Sequence, residues 1–115
     1  MSIRRVTSPE VAEATPGLWS NCLVVDRIAY VSGMTARDRN FQPAKDADEY
    51  VQAKIIFGKI RALVEAAGGA MADIVKLTIF VTNIANREKK KILRAACEVM
   101  GLVFGRDLKI DFAHA

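Results

Sequence analysis

A helical pattern and a strand pattern meet at one glycine pair, Gly68-Gly69, and this junction constrains the fold more than any other feature. Before the pair, apolar residues recur every three or four positions, at Ala53, Ile56, Phe57, Ile60, Leu63, Val64 and Ala67. This spacing predicts an amphipathic helix with one buried face that stops at the glycines. Residues 73–81 then form a β-branched run in which Lys76 is the only charge after Asp73. Its two largely apolar faces predict a central strand with helices on one side.

The segments around this junction indicate further strands and the start of the helix. Two β-rich runs, residues 22–25 and 28–33, flank the polar pair Asp26-Arg27, which is typical of a β-hairpin. The alternation along the second run places Ile28, Tyr30 and Ser32 on one face. Asp46, followed three positions later by Glu49, resembles a capping box and predicts the helix start.

The remaining segments complete an α+β pattern. Residues 3–6 form a short candidate strand, an apolar stripe through Ile92 and Met100 predicts a second helix that ends near Gly101, and residues 108–114 alternate as a last strand. We expect one domain over residues 1–115, with a mixed sheet and two helices packed on one of its faces, of the ferredoxin-like general type. The face without helices needs another subunit to cover it, which predicts an oligomer.

Composition excludes several classes of protein. The chain has 115 residues, 51% hydrophobic and 26% charged, which is typical of one folded domain rather than a disordered chain. It contains no run of about 18 apolar residues and no apolar stretch after its first arginines, so we expect a soluble cytoplasmic protein without membrane contact. Two distant cysteines and one histidine give no metal-binding or disulfide pattern.

Two longer blocks resemble a known family. Residues 17–21 (GLWSN) precede the hairpin that ends in Tyr30-Val31-Ser32-Gly33, and residues 60–68 (IRALVEAAG) are followed by residues 73–82 (DIVKLTIFVT). Together they resemble the RidA/YjgF family of imine and enamine deaminases, also called endoribonuclease L-PSP proteins. The similarity extends from about residue 16 to residue 86.

This resemblance implies a fold, an assembly and a reaction. The family fold is a chorismate-mutase-like α+β sandwich that assembles as a homotrimer, with active sites in clefts between subunits. The family reaction is the hydrolysis of reactive 2-imino acids to 2-oxo acids and ammonia, without a metal or an organic cofactor. A small 2-imino or 2-oxo acid is therefore the expected ligand, and the expected enzyme is a hydrolase of the 2-iminobutanoate/2-iminopropanoate deaminase type.

The resemblance also implies three substrate-binding residues. Trp19 takes the place of the family tyrosine and forms a wall of the pocket, although it lacks the phenol hydroxyl and has an N–H donor instead. Ser32 and Gly33 match the family Ser-Gly pair beside the substrate. A turn serine at a strand end is the structural alternative for Ser32.

Two candidate catalytic residues lie in the C-terminal segment, where the chain departs from the family pattern. Arg106 corresponds to the arginine that binds the substrate carboxylate, and Asp111 stands in for the glutamate that positions water. The alternatives are a solvated arginine beside Asp107 and an outward-facing strand residue beside Lys109. The family has two strands after the second helix and this segment has room for one, so loss of the last strand would make the protein inactive.

Two other functions stay open. A noncatalytic protein of the same fold could bind a small carboxylate without hydrolysing anything. Alternatively, an RNA-binding or endoribonuclease-type translation inhibitor could use the basic cluster formed by Arg87, Lys89, Lys90, Lys91 and Arg94. No aromatic residues are interleaved in that cluster, and a solvated helix face is its ordinary interpretation.

Overall fold

A computed structural model of the chain describes residues 1–101 and 108–115. These residues form an α+β fold, as the sequence pattern predicts. The strands are β1 (Ile3–Val6), β2 (Cys22–Val25), β3 (Ile28–Val31), β4 (Lys76–Val81) and β5 (Lys109–His114). The helices are α1 (Glu49–Ala66), a 3-10 turn at Met71–Asp73, and α2 (Asn86–Met100).

The first three strands form an antiparallel sheet in the order β1-β2-β3. Val25 pairs with Ile28 across the two-residue turn, which confirms the predicted hairpin and its register. Asp26 occupies the left-handed region of the backbone at a φ of 53°, a conformation that aspartate accepts more readily than most residues. Tyr30 pairs with Leu23, so these two side chains lie on the same face of the sheet.

The single mixed sheet that the sequence predicts is not formed by the described residues. β4 pairs in parallel with β5 as a separate two-stranded sheet, with no hydrogen-bonded ladder to β3 among residues 1–101 and 108–115. Within this part of the chain β4 therefore has a neighbour on one side only, and its central position stays a prediction. Phe80, on the outer face of β4, is 69% exposed.

Some element boundaries also differ from the sequence prediction. The N-cap of α1 is Asp48, whose carboxylate accepts a hydrogen bond of 2.9 Å from the Val51 amide, whereas Asp46 precedes the helix with a φ of 59°. β4 begins at Lys76 because the 3-10 turn occupies the start of the β-branched run. Both predicted helix ends are confirmed: Gly68 and Gly101 adopt left-handed conformations directly after α1 and α2.

The two helices pack against each other and cover the inner face of each sheet. One buried cluster joins Phe57 of α1 and Ile92 of α2 to Val81 of β4. The other joins Leu63 of α1 to Cys22 and Val24 of the hairpin. Because α1 contributes to both clusters, it connects the two sheets. No helix in the described part of the chain is long and apolar enough to cross a bilayer.

The opposite face of the sheets is open and carries large apolar side chains. Ile28 and Tyr30 are each 58% exposed on β3, and Ile3 of β1 is also exposed. The pairing register places Ile3, Val25 and Ile28 side by side on this face. Exposed apolar groups that adjoin one another in this way are typical of an interaction surface.

A partly buried acidic residue in the first turn of α2 makes folding stability depend on pH. Contact with the Glu49 carboxyl and with the Lys91 ammonium lowers the pKa of Glu88. Lys91 Nζ lies 3.2 Å from Glu88 Oε2 and 3.7 Å from Glu49 Oε2. A lowered pKa means that this carboxylate stabilises the fold above its ordinary pKa of about 4.3, and that the stabilisation is lost as the pH falls further.

We expect Glu88→Gln to lower the melting temperature at pH 7, because the charge that Lys91 contacts is removed. The difference from the parent protein should shrink as the pH falls below about 4, where the parent carboxylate also becomes neutral. Thermal unfolding followed by circular dichroism between pH 3 and 8 measures this. Glu65→Gln is the control, because Glu65 forms an exposed ion pair with Arg61. Equal, pH-independent effects of the two variants would contradict the assignment.

Candidate functional site

A cleft of about 380 Å³ opens at the end of the β2-β3 hairpin. Trp19 and Asn21 line it from the segment before β2, and Gly33 lines it from the end of β3. The loop of residues 34–42, hereafter the 34–42 loop, forms another wall through Met34 and Phe41. Charged side chains also reach the cleft, from Arg37, Asp38 and Lys59. The cleft therefore combines apolar walls with cations, an arrangement suited to a small organic anion.

Trp19 lies in the cleft wall and keeps 49% of its surface exposed. Its indole Nε1 donates a hydrogen bond of 3.2 Å to Asn21 Oδ1. The indole donor is therefore used within the protein, and the ring presents an apolar surface to the cleft. A ligand that contacts Trp19 meets this ring rather than a free polar group.

Ser32 and Gly33 follow β3, and Gly33 lines the cleft. The Ser32 hydroxyl donates a 3.2 Å hydrogen bond to the backbone carbonyl of Asn21, and the Ser32 amide donates to the same oxygen at 3.0 Å. With its proton used in this way, the hydroxyl oxygen has lone pairs left to accept a hydrogen bond from a ligand. A Cβ added at Gly33 would meet no atom within 4 Å, so the space beside Gly33 is open.

Sequence reasoning missed the residue that connects these groups, Asn21. Its side chain is almost fully buried, with the residue 3% exposed. Nδ2 donates to the Ala12 carbonyl at 3.0 Å, Oδ1 accepts from Trp19, and the backbone carbonyl accepts from Ser32. A polar residue immediately before an apolar strand was the available signal. The hydrogen bonds themselves could not be predicted from spacing.

Of the two candidate catalytic residues, the structure describes only Asp111, and it lies away from this cleft. Arg106 lies outside the described residues. Asp111 lies on β5 in register with Thr78 on the outer face, and 45% of its side chain is exposed. Lys109 Nζ is 3.9 Å from Asp111 Oδ2. Asp111 is not among the residues that line the cleft.

Neither metal binding nor thiol chemistry is supported by the described side chains. Across residues 1–101 and 108–115, no three histidine, cysteine, aspartate or glutamate side chains are grouped so that they could hold a metal ion. Cys22 is fully buried, and this burial raises the pKa of its thiol although the charge of Arg4 opposes the effect. A buried, protonated thiol is a poor nucleophile.

The basic cluster of α2 is partly occupied by internal contacts. Lys91 contacts Glu49 and Glu88, as described above, and Arg94 stacks on the Tyr50 ring at 4.1 Å while its Nε lies 3.9 Å from Glu98 Oε1. Lys89 Nζ lies over the ring of Phe112. Arg87 and Lys90 are exposed, so these contacts occupy only part of the cluster.

The fold and the site define a class of small α+β proteins with an apolar, cation-bearing cleft at a hairpin end. Residues 10–100 match the family model described as endoribonuclease L-PSP. The chain belongs to this family, as the motifs around Trp19 and Ser32 predict. The match includes both motifs and ends before residues 101–115.

Known relatives agree with this assignment. A protein from Dermatophagoides farinae named 2-iminobutanoate/2-iminopropanoate deaminase is 35% identical over 86 residues, which cover 72% of this chain and 65% of that relative. A Pseudomonas aeruginosa protein of unknown function is 32% identical, with a TM-score of 0.82 over 99% of this chain and 80% of its own. RidA from an Antarctic Psychrobacter species has the same fold, with 22% identity and a TM-score of 0.75 over 97% of this chain and 86% of its own.

Proposed function

We propose that the protein hydrolyses small 2-imino acids to 2-oxo acids and ammonia, in a cleft formed between subunits of a homotrimer. The observation that carries the proposal is that Trp19, Asn21 and Gly33 line one open cleft, while Ser32, next to Gly33 in the chain, bonds through its hydroxyl to the Asn21 carbonyl. The family membership and the deaminase name of a relative support the reaction class.

The hydrolysis can be divided among the residues by their chemistry. Water adds to the carbon of the protonated imine, a proton moves to nitrogen, and the carbon–nitrogen bond breaks to leave the 2-oxo acid and ammonium. Arg106 binds the carboxylate through its planar fork, and Asp111 accepts a proton from the attacking water. Ser32 Oγ accepts a hydrogen bond from the imine N–H, and Trp19 excludes bulk water.

An oligomeric site follows from the position of Asp111. Within one subunit Asp111 lies on the open face and does not line the cleft. The same face carries the exposed Ile28 and Tyr30, which need an apolar partner. Packing these faces around a threefold axis is the arrangement we propose for bringing Asp111 of one subunit to the cleft of the next.

A competition assay tests the reaction. An amino-acid oxidase acting on L-alanine, with catalase present, generates 2-iminopropanoate, which semicarbazide traps as a semicarbazone. We expect the purified protein to reduce the initial rate of semicarbazone formation, because hydrolysis removes the imine first. Light scattering on the same sample should give three times the chain mass. An unchanged trapping rate at several protein concentrations would end the enzymatic proposal.

A noncatalytic carboxylate-binding protein is the second candidate, and one observation favours it. The carboxylate that lines the cleft, Asp38, accepts hydrogen bonds at Oδ1 from the amides of Asn40 and Gln42, so it already holds the 34–42 loop. If no second carboxylate reaches the cleft, a 2-oxo acid can bind without turnover. Isothermal titration with 2-oxobutanoate would then give heat while the trapping assay stays negative.

A further inference from the structure

The 34–42 loop is a small unit with its own hydrogen bonds. Asp38 Oδ1 accepts from the amides of Asn40 at 2.8 Å and Gln42 at 3.0 Å. The Asp38 amide donates to the Gln42 carbonyl at 3.0 Å, and the Phe41 amide donates to the Asp38 carbonyl at 2.9 Å. The loop therefore has internal bonds that hold its shape, and its position depends on what attaches it to the rest of the protein.

Side chains from two directions attach this loop. From α1, Lys59 Nζ donates to the carbonyl of Thr35 at 2.8 Å and to that of Arg37 at 2.6 Å. On another side, Arg39 Nη1 donates to the Pro9 carbonyl at 2.6 Å. Lys59 makes two charge-assisted hydrogen bonds to loop carbonyls two residues apart, and it is also part of the cleft lining.

We propose that Lys59 is a positioning residue that fixes the 34–42 loop on α1 and thereby sets the width of the cleft between Trp19 and Phe41. The size of the ligand side chain that the cleft accepts then depends on Lys59, although Lys59 contacts the loop backbone and not the reacting atoms. This inference rests on the proposed function only in taking a small carboxylic acid as the ligand.

The environment of Lys59 agrees with a role in holding the loop. Partial burial lowers the pKa of its ammonium group, and the nearby Asp38 carboxylate opposes the effect. The two loop carbonyls take two of the three ammonium donors. A methionine at this position would keep the apolar stem and lose both hydrogen bonds, which frees the loop without leaving a cavity in α1.

The sequence contains one tryptophan, Trp19, and it lines the same cleft, so its fluorescence reports directly on the loop. We expect Lys59→Met to shift the Trp19 emission to longer wavelength and to raise its acrylamide quenching constant in the absence of ligand. Lys59→Arg, which keeps the charge and the donors, should restore most of the parent signal. Lys54→Met is the matched control, because Lys54 is an exposed residue of α1 whose ammonium faces the Tyr50 ring instead.

Ligand titration provides the readout that a purely structural role would not change. With excitation of Trp19, the Lys59→Met variant should bind 2-oxobutanoate about fivefold to tenfold more weakly, up to about 1.4 kcal/mol. The larger 4-methyl-2-oxopentanoate should lose less affinity, because a wider cleft accommodates its branched side chain. Selectivity between the two acids should therefore decrease in Lys59→Met and be retained in Lys54→Met.

The outcomes separate this inference from the proposed function. Parent-like quenching in Lys59→Met would overturn the positioning role, and so would an equal loss of affinity for both acids with unchanged quenching, which would indicate direct contact with the carboxylate. If neither acid binds the parent protein, the ligand of the proposed function is wrong, while the quenching comparison still decides whether Lys59 holds the loop.

Discussion

Exchanging Asp111 for asparagine is expected to lower kcat for 2-iminopropanoate hydrolysis about a hundredfold, the ordinary effect of removing a general base. Asparagine keeps the size of the side chain and its position on β5, but it cannot accept the proton of the attacking water. KM should change little, because the substrate carboxylate is assigned to Arg106. The trapping assay, run over a range of imine concentrations, measures both parameters.

Lys109→Gln is the matched control for this prediction. Lys109 lies two residues away on the same strand, and its ammonium faces the Asp111 carboxylate at 3.9 Å. The control removes this neighbouring charge while leaving Asp111 in place, and it should retain most of the parent kcat. A near-parent kcat in Asp111→Asn would contradict the catalytic role. Asp111 would then be an exposed, outward-facing residue of β5 without a part in the reaction.

Mixing two inactive variants tests whether Asp111 acts across a subunit boundary. Trp19→Ala and Asp111→Asn chains, unfolded and refolded together in equal amounts, form some clefts that combine an intact Trp19 with an intact Asp111 from the neighbour. In a cyclic trimer with random assembly, about one cleft in four is intact. Activity restored toward that fraction supports a site shared between subunits. If no activity is restored, either both residues act within one subunit or one of them is not part of the site.

The sequence predicted the fold best where one physical pattern dominated. The apolar stripe of α1 has no competing periodicity, and Gly68 ends it with a left-handed backbone that other residues adopt at a cost. The hairpin was equally clear because two β-rich runs enclose the pair Asp26-Arg27. In both places the local preference and the tertiary packing agree.

Prediction was less complete where a pattern permits two structures. An apolar run with two apolar faces indicates a strand but not which neighbours cover its faces, and Phe80 on the outer face of β4 is exposed among the described residues. The helix cap was misplaced by two residues because Asp46 and Asp48 both have carboxylates able to cap. Only the backbone geometry selects Asp48, which is extended while Asp46 is left-handed.

The candidate site was predicted only in part, because some of its residues lie in sequence motifs and others act through hydrogen bonds that no motif reveals. Trp19, Ser32 and Gly33 lie in motifs whose order along the chain carries the resemblance. The 34–42 loop, Asn21 and Lys59 act through hydrogen bonds to backbone carbonyls, and such bonds leave no spacing that a single sequence reveals. The sequence thus indicated the groups that face a ligand and missed the groups that hold them in place.

We expect Asn21→Leu to lower the free energy of unfolding by about 2 kcal/mol, because two groups of the protein each lose their hydrogen-bonding partner. The Ala12 carbonyl loses its donor and the Trp19 indole loses its acceptor, while leucine keeps the branched shape of asparagine, is larger, and has no polar side-chain atom. Urea unfolding followed by circular dichroism measures the loss. The Trp19 emission of the folded variant should also move to longer wavelength, because the ring is no longer held.

A second asparagine provides a control variant, which shows whether the loss of stability comes from the lost hydrogen bonds or from adding an apolar side chain. Asn40 is exposed in the 34–42 loop, so Asn40→Leu should change the free energy of unfolding by less than about 0.5 kcal/mol. Asn21→Leu should also weaken 2-oxobutanoate binding, because the Trp19 indole loses the Asn21 Oδ1 that holds it, whereas the Ser32 hydroxyl keeps its partner, the backbone carbonyl of residue 21. If Asn21→Leu unfolds like the parent protein and keeps its ligand affinity, the Asn21 side chain does not hold Trp19 at the cleft.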